Sequence, residues 1–264
     1  MIMQTMKEIF EEIETNGGMT PSRRLRDIAN RFPEQIAFRD KRYGIWNEMS
    51  YKEFWMEVQY VGCALNYFGI QKTEKVAIHS ENRPEWLIAD IGVQAIGGIT
   101  VGLYPTNPPA EVQYLLSHSE SKILFAEDQE QVDKALEVLD EVPNLSKIIY
   151  FEEKGLFRYD SEKLMRWDEF LEIGKEEYEK NKDFVNFCID EIKSEDVALM
   201  IYTSGTTGPP KASMLSHGNM EWTASIIPDL SFTPNISNPE YLSYLPLCHV
   251  FGRLVDEIIA INSI

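Results

Sequence analysis

The stretch Val197-Ala198-Leu199-Met200-Ile201-Tyr202-Thr203-Ser204-Gly205-Thr206-Thr207-Gly208-Pro209-Pro210-Lys211 joins an apolar run to a hydroxyl- and glycine-rich one. Val197 to Ile201 is short, continuous and apolar, which predicts a buried strand. A glycine-rich turn after a strand lets backbone N–H groups approach phosphate oxygens, because Gly has no Cβ in the way. Hydroxyls add neutral donors and Lys211 adds a mobile positive charge. The segment is therefore expected to bind the phosphates of a nucleoside triphosphate through Thr203, Ser204, Gly205, Thr206, Thr207, Gly208 and Lys211. It is not a Walker A loop, since Pro210 precedes the lysine and Ala212 follows it where a magnesium-binding hydroxyl would stand. Gly205 and Gly208 alone do not make the G-x-G-x-x-G dinucleotide fingerprint. The bland alternative is a polar surface loop.

Upstream, short apolar runs alternate with amphipathic ones. Ser50 and Glu53 form a capping-box pattern, and Phe54, Val58, Val61, Leu65 and Phe68 recur at helical spacing to about Gly69. Val76-Ala77-Ile78 predicts a strand, Pro84 a helix start continued by Trp86, Leu87, Ile91 and Ala95, and Ile99-Thr100-Val101 the next strand. A helix through Val112, Leu115 and Leu116 follows Pro108-Pro109. Next come a strand at 122–126, a helix with Val132, Ala135, Leu136 and Leu139, and a strand at 147–151. This alternation implies an α/β fold with a parallel sheet in layers. The charged run from Glu152 to Asp196 is expected to be a solvated excursion between two sheet layers, with a weak helical face at Trp167, Phe170, Leu171, Gly174 and Tyr178. Downstream, Ser216 is expected to cap a helix to about Ile227, Tyr241 to Leu245 to form a strand, and Val250 to Ile261 a helix.

The run Tyr202 to Gly208, with Pro210, Lys211, His217 and Asn219, resembles the signature of the adenylate-forming (AMP-binding) superfamily. Tyr244-Leu245-Pro246-Leu247-Cys248-His249-Val250-Phe251 is similar to a segment of its long-chain fatty acyl-CoA synthetase branch. Thr20 to Phe38, Met49 to Phe54 and Gly102 to Thr106 also fit that branch, so the resemblance covers nearly the whole chain but only part of the family's length. Residues 1–264 then correspond to the N-terminal part of the adenylation domain, a truncated version of the family's large domain. The resemblance implies ATP-dependent formation of an acyl-adenylate and then an acyl-CoA, with ATP, a fatty acid, coenzyme A and Mg²⁺ taking part. It places His249 beside the acyl and coenzyme A passage. The family's catalytic Lys and Mg²⁺-binding Glu would fall beyond Ile264. Two departures stand out. Ala212 replaces a Gly, adding a methyl where positive φ or close approach is expected, and Gly252 replaces a Glu, which would leave a buried polar network incomplete. Ser216 for Thr keeps the hydroxyl.

Composition narrows the partners. A net charge of −18 argues against nucleic acid, which demands a surplus of Lys and Arg, and against tight binding to anionic membranes. Cys63, Cys188 and Cys248 form no C-x-x-C pair, and no charged-then-apolar leader opens the chain, so the expected setting is cytoplasmic and reducing. The apolar stretch from Trp86 to Tyr104 contains Asp90 and Gln94 and reads as helix plus strand, not a membrane span. A fatty substrate could still draw the protein transiently to a membrane surface. Cys248 beside His249 invites a nucleophile reading, but strand neighbours point to opposite faces. Two readings stay open: the N-terminal portion of a fatty acyl-CoA ligase, or a non-enzymatic remnant or nucleotide-binding module, favoured by Ala212 and Gly252.

Overall fold

A computed structural model describes residues 20–203, 208–226, 240 and 242–262. Strand-forming runs at β3 (Lys75–His79), β4 (Ile99–Leu103), β5 (Ile123–Ala126), β6 (Lys147–Tyr150), β7 (Leu164–Arg166), β8 (Val197–Thr203) and β9 (Lys211–Ser216) build one sheet in the order β7-β6-β5-β3-β4-β8-β9. Every neighbouring pair is parallel except β8 with β9. The strands alternate sides in the core. Val76, Ile78, Ile123, Phe125 and Ile149 enter one apolar cluster, and Ala77, Leu124, Ala126 and Ile148 enter another. A period of two sends successive side chains to opposite faces, so each face carries its own helical layer.

The first face is covered by α1 (Pro21–Arg31), α2 (Tyr51–Tyr67), α3 (Pro84–Ala95), α6 (Trp167–Lys180) and α7 (Phe184–Asp190), the second by α4 (Pro109–Ser119) and α5 (Gln129–Glu137). Helix α2 begins with the expected capping box, in which the Ser50 hydroxyl accepts the Glu53 N–H and the Glu53 carboxylate accepts the Ser50 N–H. Pro84 is the first residue of α3, where its missing N–H costs nothing. Because β4 and β5 flank β3 on opposite sides, the carboxyl end of β3 is the topological switch point of this open α/β sheet, the place where such sheets commonly bind ligands.

Two expectations need correction. The charged run 152–196 is not an excursion between layers. It supplies the edge strand β7 and the helix α6, whose Trp167 and Phe170 are buried and stack edge-on against Phe125. The Glu and Lys residues that dominate the run lie on the outer side of an amphipathic helix, so composition hid its inner stripe. Residues 242–245 form no strand, and Tyr241 lies outside the described residues. A polar hairpin, β1 (Ile36–Arg42) with β2 (Ile45–Ser50), stands apart from the main sheet. Helices α8 (His217–Ile226) and α9 (Val250–Asn262) complete the fold. The Ser216 hydroxyl accepts the Asn219 N–H at the start of α8, as its sequence predicts.

Candidate functional site

The segment expected to bind phosphate begins at Thr203, the carboxyl end of β8, and β8 runs parallel to β4, so it ends on the same side of the sheet as the switch point. Thr203 ends β8 and Lys211 begins β9, and the two pair directly across the antiparallel register. Opposed residues in such a pair share a face, with their Cβ atoms about 5 Å apart. Tyr202 opposite Ala212 therefore faces the other way, into the second apolar cluster. Gly208 has a φ of +115°, a conformation that L side chains rarely adopt. Lys211 is exposed and forms no ion pair among the described residues. Ser204, Gly205, Thr206 and Thr207 lie outside the described residues.

Helix α4 fixes the neck of this loop. The Tyr114 hydroxyl donates to the Pro210 carbonyl at 3.0 Å, and His118 Nδ1 lies 2.7 Å from the Tyr202 hydroxyl. The three rings pack on one another, with Tyr114 stacked on His118 and both edge-on to Tyr202. Burial, with Tyr114 adding to it, pushes the Tyr202 phenol up to about 12, so it stays neutral. Sequence reasoning missed Tyr114 and His118. Their spacing of four on one helix face is visible, but nothing local names a strand tyrosine as their partner.

The second motif packs against the same end of the sheet. Asn82, just past β3, donates through Nδ2 to Ser243 Oγ at 2.9 Å and to the Leu245 carbonyl at 2.8 Å, and accepts the Leu247 N–H at 3.0 Å. One amide side chain thus ties down three residues of an irregular segment. Val250 and Leu254 of α9 pack on a cluster of Ala198, Leu199, Ile201 and Met220, which sets α9 against β8.

His249 is exposed at the start of α9, and its Nδ1 accepts the Phe251 N–H at 3.2 Å. That bond satisfies one of the helix's unpaired first-turn donors and leaves Nε2 to solvent. Cys248 is buried, and burial pushes its thiol up to about 12, far from a reactive thiolate. The two are not neighbours in a strand, as expected, but in a turn. They still part company, one inward and one outward.

The two departures from the family pattern are accommodated. Ala212 lies within β9, an extended backbone any residue adopts, and packs on the second apolar cluster. The positive φ expected there falls at Gly208 instead. At Gly252 the fold has a packing reason for glycine. A Cβ on it would overlap the Pro246 carbonyl oxygen and lie 2.8 Å from that of Leu245, so glycine lets α9 lie against its own approach segment. The next residue, Arg253, is fully buried, with Nη2 3.0 Å from Asp90 Oδ1, Nε 2.9 Å from Oδ2, and its guanidinium 4.6 Å from the Trp86 ring centroid. Gln94 donates to the same carboxylate at 3.0 Å. The polar residues that break the Trp86–Tyr104 stretch thus anchor α9 to α3.

Among the described residues no group of three or more His, Cys, Asp or Glu is placed to hold a metal ion, and no helix is long and apolar enough to cross a membrane.

A sequence profile described as AMP-binding enzyme matches residues 25–263. The long-chain-fatty-acid–CoA ligase ACSBG2 of Xenopus laevis is 31% identical over 234 residues, covering 88% of this chain and 31% of that protein. The human ACSBG2 is 31% identical over 240 residues, covering 90% and 35% respectively. The chain therefore spans about a third of the length of these relatives. The crystal structure of a coronafacic acid ligase from Pectobacterium brasiliense superposes with a TM-score of 0.74 at 18% identity, over 93% of this chain and 44% of that one. A fatty acyl CoA synthetase of Mycobacterium tuberculosis gives 0.68 at 18% identity, over 91% and 43%. At these identities the structures speak for the fold alone.

Proposed function

This chain belongs to the AMP-binding enzyme family, and from that membership we propose that it is the N-terminal part of an adenylation domain that activates a long-chain fatty acid for transfer to coenzyme A. The observation that carries the reading is the β8–β9 hairpin, which holds Lys211, without an ion pair among the described residues, opposite Thr203 at the start of a glycine-containing segment. The choice of a long-chain acid leans on the names of the relatives.

In this proposal Thr203, Ser204, Gly205, Thr206, Thr207 and Gly208 present hydroxyl and backbone donors to the triphosphate of ATP. Lys211 sets a positive charge against its outer phosphates. Attack of a carboxylate on the α-phosphate brings two anions together, and fixed donors lower that barrier without reorganising. The Tyr114–His118–Tyr202 packing fixes Tyr202 and Pro210, on either side of these donors. His249, with Nε2 outward, would border the passage used by the acyl chain and coenzyme A. Magnesium would offset further phosphate charge, held by carboxylates other than any cluster among the described residues.

The test is fatty-acid-dependent exchange of pyrophosphate into ATP by the protein expressed from its own gene. Long-chain acids should drive exchange, and Lys211→Ala should lower kcat/KM by about tenfold to a hundredfold, the size of a lost charge-assisted contact. Exchange driven only by acetate or amino acids, or unchanged in Lys211→Ala, contradicts the assignment.

A further inference from the structure

The place of the His249 turn is set by residues outside both motifs. Asn82 follows β3 at the switch point, on a turn that is itself fixed. The Ser80 hydroxyl donates to the Glu81 carbonyl at 2.9 Å, and the Glu127 carboxylate accepts the Glu81 N–H at 2.7 Å. From there the Asn82 amide meets the 243–249 segment at Ser243 Oγ, the Leu245 carbonyl and the Leu247 N–H. Both of its N–H groups and its oxygen are thereby engaged. Ser243 in turn donates to Asp256 of α9, so the same amide reaches that helix through one hydroxyl. An irregular segment has no ladder to satisfy its backbone, and here one side chain does so.

Gly102 of β4 is the seat of the turn. A Cβ there would lie 2.9 Å from the Cys248 Cα and 3.2 Å from the Cys248 carbonyl oxygen, so only glycine lets the turn lie this close to the strand. Gly102 pairs with Ile201 of β8, and Leu199 and Ile201 pack with Val250 and Leu254 of α9. A period of two puts Thr203 on that same face, about 7 Å further along the strand. Lys211, opposite Thr203, shares it. The turn that carries His249 and the lysine at the phosphate segment thus stand on one face of the sheet, towards its carboxyl end.

We propose, resting on the function given above, that Asn82 is a positioning residue for the acid substrate and that Gly102 is the seat against which it works. Asn82 acts through the 243–249 segment: it holds His249, at the acyl passage, in one place relative to Thr203 and Lys211. Without Asn82 the segment takes several placements, and only the fraction in the competent one accepts the acid. Apparent affinity for the acid then falls in proportion to that fraction. The three bonds of Asn82 all go to this segment and none to the β8–β9 hairpin, so the grip on ATP is left as it was.

The experiment is palmitate-dependent exchange of pyrophosphate into ATP by the protein expressed from its own gene, with KM measured for each substrate, and amide hydrogen exchange over residues 243–249 in the same proteins. Asn82→Ala should raise KM for palmitate about fivefold to tenfold, the effect of lost hydrogen bonds, and leave KM for ATP unchanged. Amide exchange over 243–249 should quicken by a similar factor. Ser243→Ala removes one of the three partners, so it should give a smaller rise in the same direction, and it serves where Asn82→Ala melts early. Gly102→Ala should give the same split between palmitate and ATP, because it moves the seat instead of the anchor. An unchanged KM for palmitate, or equal rises for palmitate and ATP, overturns the proposal and leaves the ligase reading standing. A parent protein without palmitate-dependent exchange overturns both.

Discussion

Glu57 shows how one side chain can set a pH dependence. It is half-buried on α2, and burial, with Glu85 and Glu53 adding to it, raises its carboxyl to about 7. The unfolded chain loses this proton near 4.5, the folded one near 7. Stability contributed by the protonated form is therefore lost as pH rises from about 4.5 to about 7. Glu57→Gln keeps the neutral shape, so it should stabilise the protein by about 1–3 kcal/mol at pH 8 and hardly at all at pH 4. Thermal melts of both proteins across that range check this; a gain independent of pH would place the effect elsewhere. Residues of this kind were only partly legible. Ser50 and Glu53 declare their bond by a spacing of three, and the fold contains it. Asp90 and Arg253 bond across 163 residues, and nothing local to either names the other. The polar break inside an apolar stretch showed only that Asp90 must find a partner.

At the scale of elements, the strands that alternate with amphipathic helices announced themselves because burial on both faces demands unbroken apolar runs. Several elements did not. Strands β1 and β2 are mostly exposed and read as polar chain. Strand β9 follows two prolines and pairs, among the described residues, with β8 alone, so Lys211 was expected in a loop and lies at a strand start. Helix α6 was obscured by its charged outer side. The segment before α9 is where a small change has a large effect. Gly252→Ala puts a methyl against the Pro246 carbonyl, so either α9 shifts or the 242–249 segment does. A loss of about 1–3 kcal/mol is expected, typical of overpacking, together with faster proteolysis near His249. Parent-like stability and cleavage in that variant would show that α9 does not rest on its approach segment.

Across the whole molecule, two buried histidines tie folding to acidity. His79 ends β3 at the switch point and His217 begins α8. Both are fully buried, and burial pushes each down to about 4. Lys134 lowers His79 further, and Arg23 and Lys72 do the same at His217, where Asp196 and Asp90 oppose them. Unfolded histidine takes up a proton near 6.5 and these do not, so stability present above that pH is lost as pH falls towards 4. His79→Leu should make the melting temperature less steeply dependent on pH between those limits, whereas an unchanged slope would mean that His79 is protonated in the fold. The two departures that favoured a remnant, Ala212 and Gly252, are both positions where the fold accepts the residue present.

In the function proposed, the β8–β9 hairpin grips the phosphates of ATP. Calorimetric titration of the purified chain with ATP, and of its Lys211→Ala variant, tests it most directly. The parent chain should bind ATP, and binding should weaken about tenfold or more in the variant at equal thermal stability. Equal affinity in the two proteins would mean that Lys211 does not face the phosphates and would contradict it.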